Sequence, residues 1–144
     1  MSTDMLIAVD FDGTIVEHRY PEIGKEKPFA TDTLRRLIAD RHRLILWTLR
    51  EGKLLDEAIE WCKERGVEFY AVNSDYPGQE FDASKPIRKL KVDWVIDDRN
   101  IGGLPDWGVI YHLISRQMTY EQYLHEHLSD APEPRPAKRP WWKR

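Results

Sequence analysis

Asp10 and Asp12 stand two residues apart at the end of the apolar run Met5-Leu6-Ile7-Ala8-Val9, and Gly13 and Thr14 follow them. A second acidic pair, Asp97 and Asp98, follows Trp94-Val95-Ile96, and Thr48 closes the run Arg43-Leu44-Ile45-Leu46-Trp47. Lys89 precedes the second acidic pair by eight residues. Carboxylates from two segments make an oxygen-rich site for a hard cation. Magnesium takes one or two of them, keeps several waters and completes its shell on a phosphate oxygen. Thr48 offers a hydroxyl to phosphate, and Lys89 a positive charge that offsets repulsion between anion and aspartates. With the charge neutralised, one carboxylate can attack phosphorus and form an aspartyl-phosphate. A second, two residues on, can protonate the leaving oxygen and then activate water. Gly13 lets backbone approach a ligand closely, and Thr14 adds a further hydroxyl.

The elements that must position these groups follow from pattern. Short all-apolar runs bounded by polar turns read as strands buried on both faces. By that rule Met5–Val9, Arg43–Thr48, Val67–Val72 and Trp94–Ile96 are strands, and Val109-Ile110-Tyr111 is a fifth, short one. Leu34, Leu37 and Ile38 give one-sided helical spacing up to about Arg41, with Thr31 or Asp32 as N-cap. A second helix is expected over Lys53–Arg65 with Gly66 as its C-cap, and a last one over Met118–Leu128 capped by Thr119. Residues 15–28 form a loop with a short hairpin, 73–84 a polar loop, and Pro86–Leu90 one helical turn. Strands alternating with helices imply an α/β fold with a parallel sheet and helices on both faces. Ligands of such sheets bind beyond the carboxyl ends of the strands, which is where the polar groups fall.

Composition agrees with one soluble domain. The chain has 144 residues, 41% hydrophobic and 33% charged. There is no apolar run of about 18 residues to span a membrane. The single cysteine, Cys62, excludes an internal disulfide and reads as a small core residue on the second helix; a reducing cytoplasm is the expected location. Net charge is −3, and residues 131–144 carry five basic residues against Glu133, so the remainder stands at −7. Four prolines and no periodicity mark 131–144 as a disordered basic tail after a domain of residues 1–130.

The motifs together resemble the haloacid dehalogenase (HAD) superfamily of phosphatases. The match is Asp10-Phe11-Asp12-Gly13-Thr14, Leu44-Ile45-Leu46-Trp47-Thr48, Lys89, and Val95-Ile96-Asp97-Asp98, in the family's order across about residues 5–110. The resemblance implies a three-layer α/β/α Rossmann-like fold and a magnesium-dependent phosphomonoesterase. It assigns Asp10 as nucleophile and metal ligand. Asp12 is general acid/base and gives its carbonyl to the metal. Thr48 binds phosphate, Lys89 steadies phosphate and Asp10, and Asp97 is the remaining metal ligand with Asp98 in support. Gly13 and Leu49 would lend backbone N–H groups to phosphate. Lys85 and Lys91 are alternatives to Lys89, and Arg50 is either a substrate-phosphate contact or a solvated loop charge. The short intervals from Asp12 to Thr48 and from Thr48 to Lys89 leave no room for a cap domain. The site would be open, suited to a large phosphorylated substrate or to closure by a second copy in a homo-oligomer.

Other readings are weaker. A receiver domain ends its late strand in lysine, where this chain has an acidic pair. A P-loop or dinucleotide binder needs a glycine-rich turn after the first strand, which is missing. A catalytically silent binding module of the same fold loses weight because every catalytic position is filled. The basic tail, with Trp141 and Trp142, suggests a nucleic-acid contact and hence a phosphatase acting on nucleic-acid ends, but a solvated tail is the simpler account.

Overall fold

The computed structural model describes residues 4–77 and 90–129. Its elements are β1 (Leu6–Val9), α1 (Ala30–Ala39), β2 (Arg43–Leu46), α2 (Gly52–Glu64), β3 (Ala71–Val72), β4 (Trp94–Ile96), α3 (Trp107–Arg116) and α4 (Tyr120–Ser129). The chain divides within α3 into two compact units, Met1–Val109 and Ile110–Arg144. Among the described residues, no helix is long and apolar enough to cross a membrane.

The first unit is an α/β body around a four-stranded parallel sheet in the order β3-β2-β1-β4. β1 is central because its residues can be buried on both faces: Ile7, Ala8 and Val9 are fully buried, as are Ile45 and Leu46 of β2. Register sets Val9 beside Leu46 on one side and beside Ile96 on the other. The chain therefore leaves β1, β2 and β4 at one level. The backbone extends this pairing by a residue, Asp10 N–H to the Ile96 carbonyl at 2.9 Å and Trp47 N–H to the Val9 carbonyl at 2.8 Å. α1 lies against β2, burying Leu34 and Leu37. α2 buries Ala58 and Cys62 and brings Trp61 edge-on to Phe11, with ring centroids 5.7 Å apart. It ends as its composition requires: Gly66 takes φ +80° and Val67 N–H donates to the Cys62 carbonyl at 2.9 Å. Burial pushes the Cys62 thiol up to about 12, so it behaves as a small apolar side chain.

Several expectations need correction. α1 begins at Ala30 behind Phe29, which adopts a left-handed φ of 64° and makes no side-chain cap. The Thr31 hydroxyl instead donates to Glu26, and Asp32 pairs with Arg35. β3 is two residues long, because Val67 is still engaged in the helix stop. β4 is at an edge of the sheet and leaves Val95 half exposed. Val109-Ile110-Tyr111 is not a strand but lies in α3. Its β-branched and aromatic content suggested a strand, yet the buried set Trp107, Ile110, Leu113 and Ile114 has helical spacing, and Asp106 accepts from the Val109 N–H at 3.0 Å. The loop hairpin is present as a Val16–Glu26 bridge, flanked by Glu17 N–H to Lys25 O and Lys27 N–H to Ile15 O. The expected turn at Pro86–Leu90 falls largely outside the described residues, as does the tail.

In the second unit, α4 opens on a reciprocal cap. The Thr119 hydroxyl accepts from Gln122 N–H at 3.1 Å, and Gln122 Oε1 accepts from Thr119 N–H at 2.8 Å. The His112, Tyr123 and His127 rings cluster there, with the last two 3.9 Å apart.

Candidate active site

The site is built where β1 and β4 end. The carboxylates of Asp10, Asp97 and Asp98 lie with one oxygen of each within 4.8 Å of the others. Thr14 stands among them. Its Oγ1 is 3.2 Å from Asp10 Oδ2 and 3.0 Å from Asp98 Oδ1, and its one proton serves one of these at a time. The same oxygen accepts from the Asp98 N–H at 3.0 Å, so a fully buried hydroxyl ties the two strand ends together.

This crowding has an electrostatic signature. Burial, then the neighbouring Asp97 and Asp98, push the Asp10 carboxyl up to about 7. Burial acts on Asp98 in the same direction, but hydrogen bonds from Asp10 and Thr14 outweigh it and hold Asp98 below its ordinary value. The two carboxylates titrate together, with the proton held more tightly at Asp10 than at Asp98. An all-oxygen set of three mutually repelling carboxylates fits a hard divalent cation, whose charge would offset both the burial and the repulsion that hold the proton on the cluster.

The turn carrying the first motif is shaped by glycine. Gly13 has φ +85°, and a Cβ there would stand 2.5 Å from Asp98 Oδ2 and 2.8 Å from the His18 ring. Gly13→Ala therefore meets both a strained backbone and a clash with the cluster. Its expected cost is about 1–3 kcal/mol by urea unfolding, with Asp98 displaced from Thr14. The Gly13 N–H is not turned outward for phosphate, as the resemblance implied. It donates to the Val16 carbonyl at 2.8 Å, closing the turn.

Asp12 does not join the acidic cluster through its side chain. Its carboxylate takes a two-point bond from Arg50, Nε to Oδ2 and Nη2 to Oδ1, each 2.7 Å. Arg50 is fully buried. Its guanidinium is thus neither a solvated charge nor presented to a phosphate: it faces Asp12 and the carbonyls of Pro21 and Glu22. The Asp12 bond raises the arginine pKa further.

Thr48 stands half buried after β2, beside the first motif in the sheet. Its hydroxyl oxygen accepts from Arg50 N–H at 3.1 Å, and its own N–H donates to Asn73 Oδ1 at 2.8 Å. Leu49 between them exposes its side chain almost fully. Asp97 also organises its own turn, Oδ1 accepting from Arg99 N–H at 2.8 Å. Lys89 and Lys85 lie outside the described residues. Lys91 is exposed, and its backbone N–H donates to Asp75.

Two supports went unread in the sequence. Asn73 holds the backbone of Thr48 from a left-handed φ of 52°, a conformation asparagine tolerates. Trp107, nearly buried, donates its indole N–H to the Thr14 carbonyl at 3.2 Å. An Asn ending a strand and a Trp after a Pro-Asp turn were the available signals.

Comparison with protein-family models gives no match, nor does comparison with curated proteins. A solved structure does match, that of a conserved protein from Bacteroides thetaiotaomicron. It is 61% identical, with a TM-score of 0.76, over 84% of this chain and 98% of that one. The chain belongs to that protein's family. The likeness establishes shared fold and descent for the family and carries no statement of its activity.

Proposed function

We propose that this chain is a magnesium-dependent phosphomonoester hydrolase of the haloacid dehalogenase type, with three α/β/α layers and no cap, working through an aspartyl-phosphate on Asp10. The observation that carries the reading is the meeting of Asp10, Asp97 and Asp98 within 4.8 Å at two adjacent parallel strand ends, with the Thr14 hydroxyl between them. Asp10, Asp97 and Asp98 would hold the ion through side-chain oxygens, together with the Asp12 carbonyl. Bound there, magnesium supplies positive charge that offsets the cluster and the phosphoryl oxygens.

The residues then divide the work. An Asp10 oxygen attacks phosphorus, and the bond from phosphorus to the leaving oxygen breaks. The leaving oxygen takes a proton from Asp12. In the second step water attacks phosphorus, Asp12 accepts the water's proton, and the Asp10–phosphorus bond breaks to release inorganic phosphate. Thr48 and Lys89 are assigned to the phosphoryl oxygens.

The test is turnover of p-nitrophenyl phosphate and a panel of phosphomonoesters, with Mg2+ and with EDTA. Metal-dependent release of phosphate is expected. No turnover on any member would turn the reading toward a binding module on the same fold. Independently of turnover, Mg2+ uptake should expel the proton that Asp10 holds near neutrality. Calorimetry at pH 7 in two buffers of different ionisation enthalpy should give different apparent heats. Affinity should rise from pH 6 to 8, by at most about tenfold per unit, and level off above the Asp10 value of about 7.

A further inference from the structure

Among the described residues, Arg50 is the large polar side chain that is both fully buried and bonded to a residue of the first motif. Guanidinium has five N–H donors in one plane. Four are engaged: Nε and one Nη2 proton on the two Asp12 oxygens at 2.7 Å, the other Nη2 proton on the Glu22 carbonyl at 2.9 Å, and Nη1 on the Pro21 carbonyl at 3.1 Å. Two aromatic rings lie beside the guanidinium as well. The guanidinium carbon is 5.2 Å from the Phe11 ring centroid and 5.3 Å from that of Tyr20. Arg50's own N–H donates to the Thr48 hydroxyl, which fixes the backbone that launches it.

We infer that Arg50 is the positioning residue of the reaction. It holds the Asp12 carboxylate in one orientation for the water-activating step, and it makes the Pro21 and Glu22 carbonyls part of that holder. The inference rests on the phosphohydrolase reading and deepens it. Both Asp12 oxygens act as acceptors toward Arg50, and each keeps a second lone pair that can take water's proton or carry the proton given to a leaving oxygen, so the pair stays intact in both halves of the reaction. p-Nitrophenolate leaves without needing that proton, so with this substrate the loss of the holder shows in the water-activating half. Lysine in this position could supply charge but not the planar two-point grip.

The experiment resolves the two halves. In stopped-flow turnover of p-nitrophenyl phosphate with Mg2+, Arg50→Lys is expected to give a burst of about one p-nitrophenol per chain. A steady state at least ~10-fold slower than wild type should follow. Hydroxylamine, which cleaves acyl phosphates without a protein base, should restore the slow phase. An arginine that only props up the fold would lower burst and steady state in proportion and give no hydroxylamine rescue, and that result overturns the inference. Because a buried arginine is at stake, Tyr20→Ala is read beside it. Tyr20 is 56% exposed, so its loss removes one of the two rings beside the guanidinium from the surface side. A fall of about two- to fivefold in the same slow phase is expected; unchanged partition overturns the inference. Wild-type protein with neither burst nor turnover would remove the phosphohydrolase reading and this inference with it, whereas turnover without the predicted partition removes only the inference.

Discussion

Asp10→Asn is expected to abolish phosphate release and, in the same preparation, to raise stability in alkaline buffer without divalent cation. The first effect follows from the proposed role. An amide cannot form the acyl phosphate, and removing a nucleophile costs on the order of 10^4-fold or more in turnover. The second follows from the cluster. An aspartic acid whose folded value is raised to about 7 from an ordinary 3.8 binds its proton more tightly folded than unfolded. Its stabilising share is complete below about pH 4 and is lost as pH rises through 7. The amide of the variant has no proton to lose, so the variant escapes that penalty. After allowing for solvent screening and for the opposite shift on Asp98, the gain at pH 8 is about 1 kcal/mol. Thermal melts at pH 5 and pH 8, with and without Mg2+, read it: the variant's advantage should grow with pH and shrink when Mg2+ stabilises the wild type. A variant that was inactive and also less stable at pH 8 would count against the shared-proton account.

The largest loss of stability is expected from Arg50→Ala. Arg50 is fully buried and its Asp12 partner is 12% exposed. Removing the guanidinium strands a carboxylate and two loop carbonyls together. Breaking a buried pair from one side costs about 3–5 kcal/mol, against a whole-domain stability of about 5–15 kcal/mol. Urea unfolding should show the midpoint falling with little change in slope. Arg50→Ala with Asp12→Ala should recover part of the loss, because neither charge is then stranded.

How much of this was legible beforehand depends on whether the determinant was local. β1, β2, α2 and the Thr119 cap of α4 were, because apolar runs, Gly66 and Thr119 act within a few residues of themselves. So were the polar strand ends, since a parallel sheet puts them at one edge. α3 was not, because Val109-Ile110-Tyr111 taken alone fits a strand, and only the wider spacing from Trp107 to Ile114 shows a helix. Least legible was Arg50. Its partners are Asp12, 38 residues away, and the carbonyls of Pro21 and Glu22. A buried arginine in a loop has no signature in spacing; only the fold shows that a motif aspartate is its counter-ion.

The central position of β1 also orders events as the chain is made. β1 can pair with β2 once some fifty residues exist, and at that stage the first-motif turn can form with Thr14 near Asp10 alone. Asp97 and Asp98 arrive only with β4, Asp98 standing 84 residues beyond Thr14. The repulsion within the cluster is therefore charged to the docking of a three-residue edge strand, the last and shortest hold on β1. On this topology the proposed divalent cation would do more than equip a finished pocket: it would favour the step that completes the sheet.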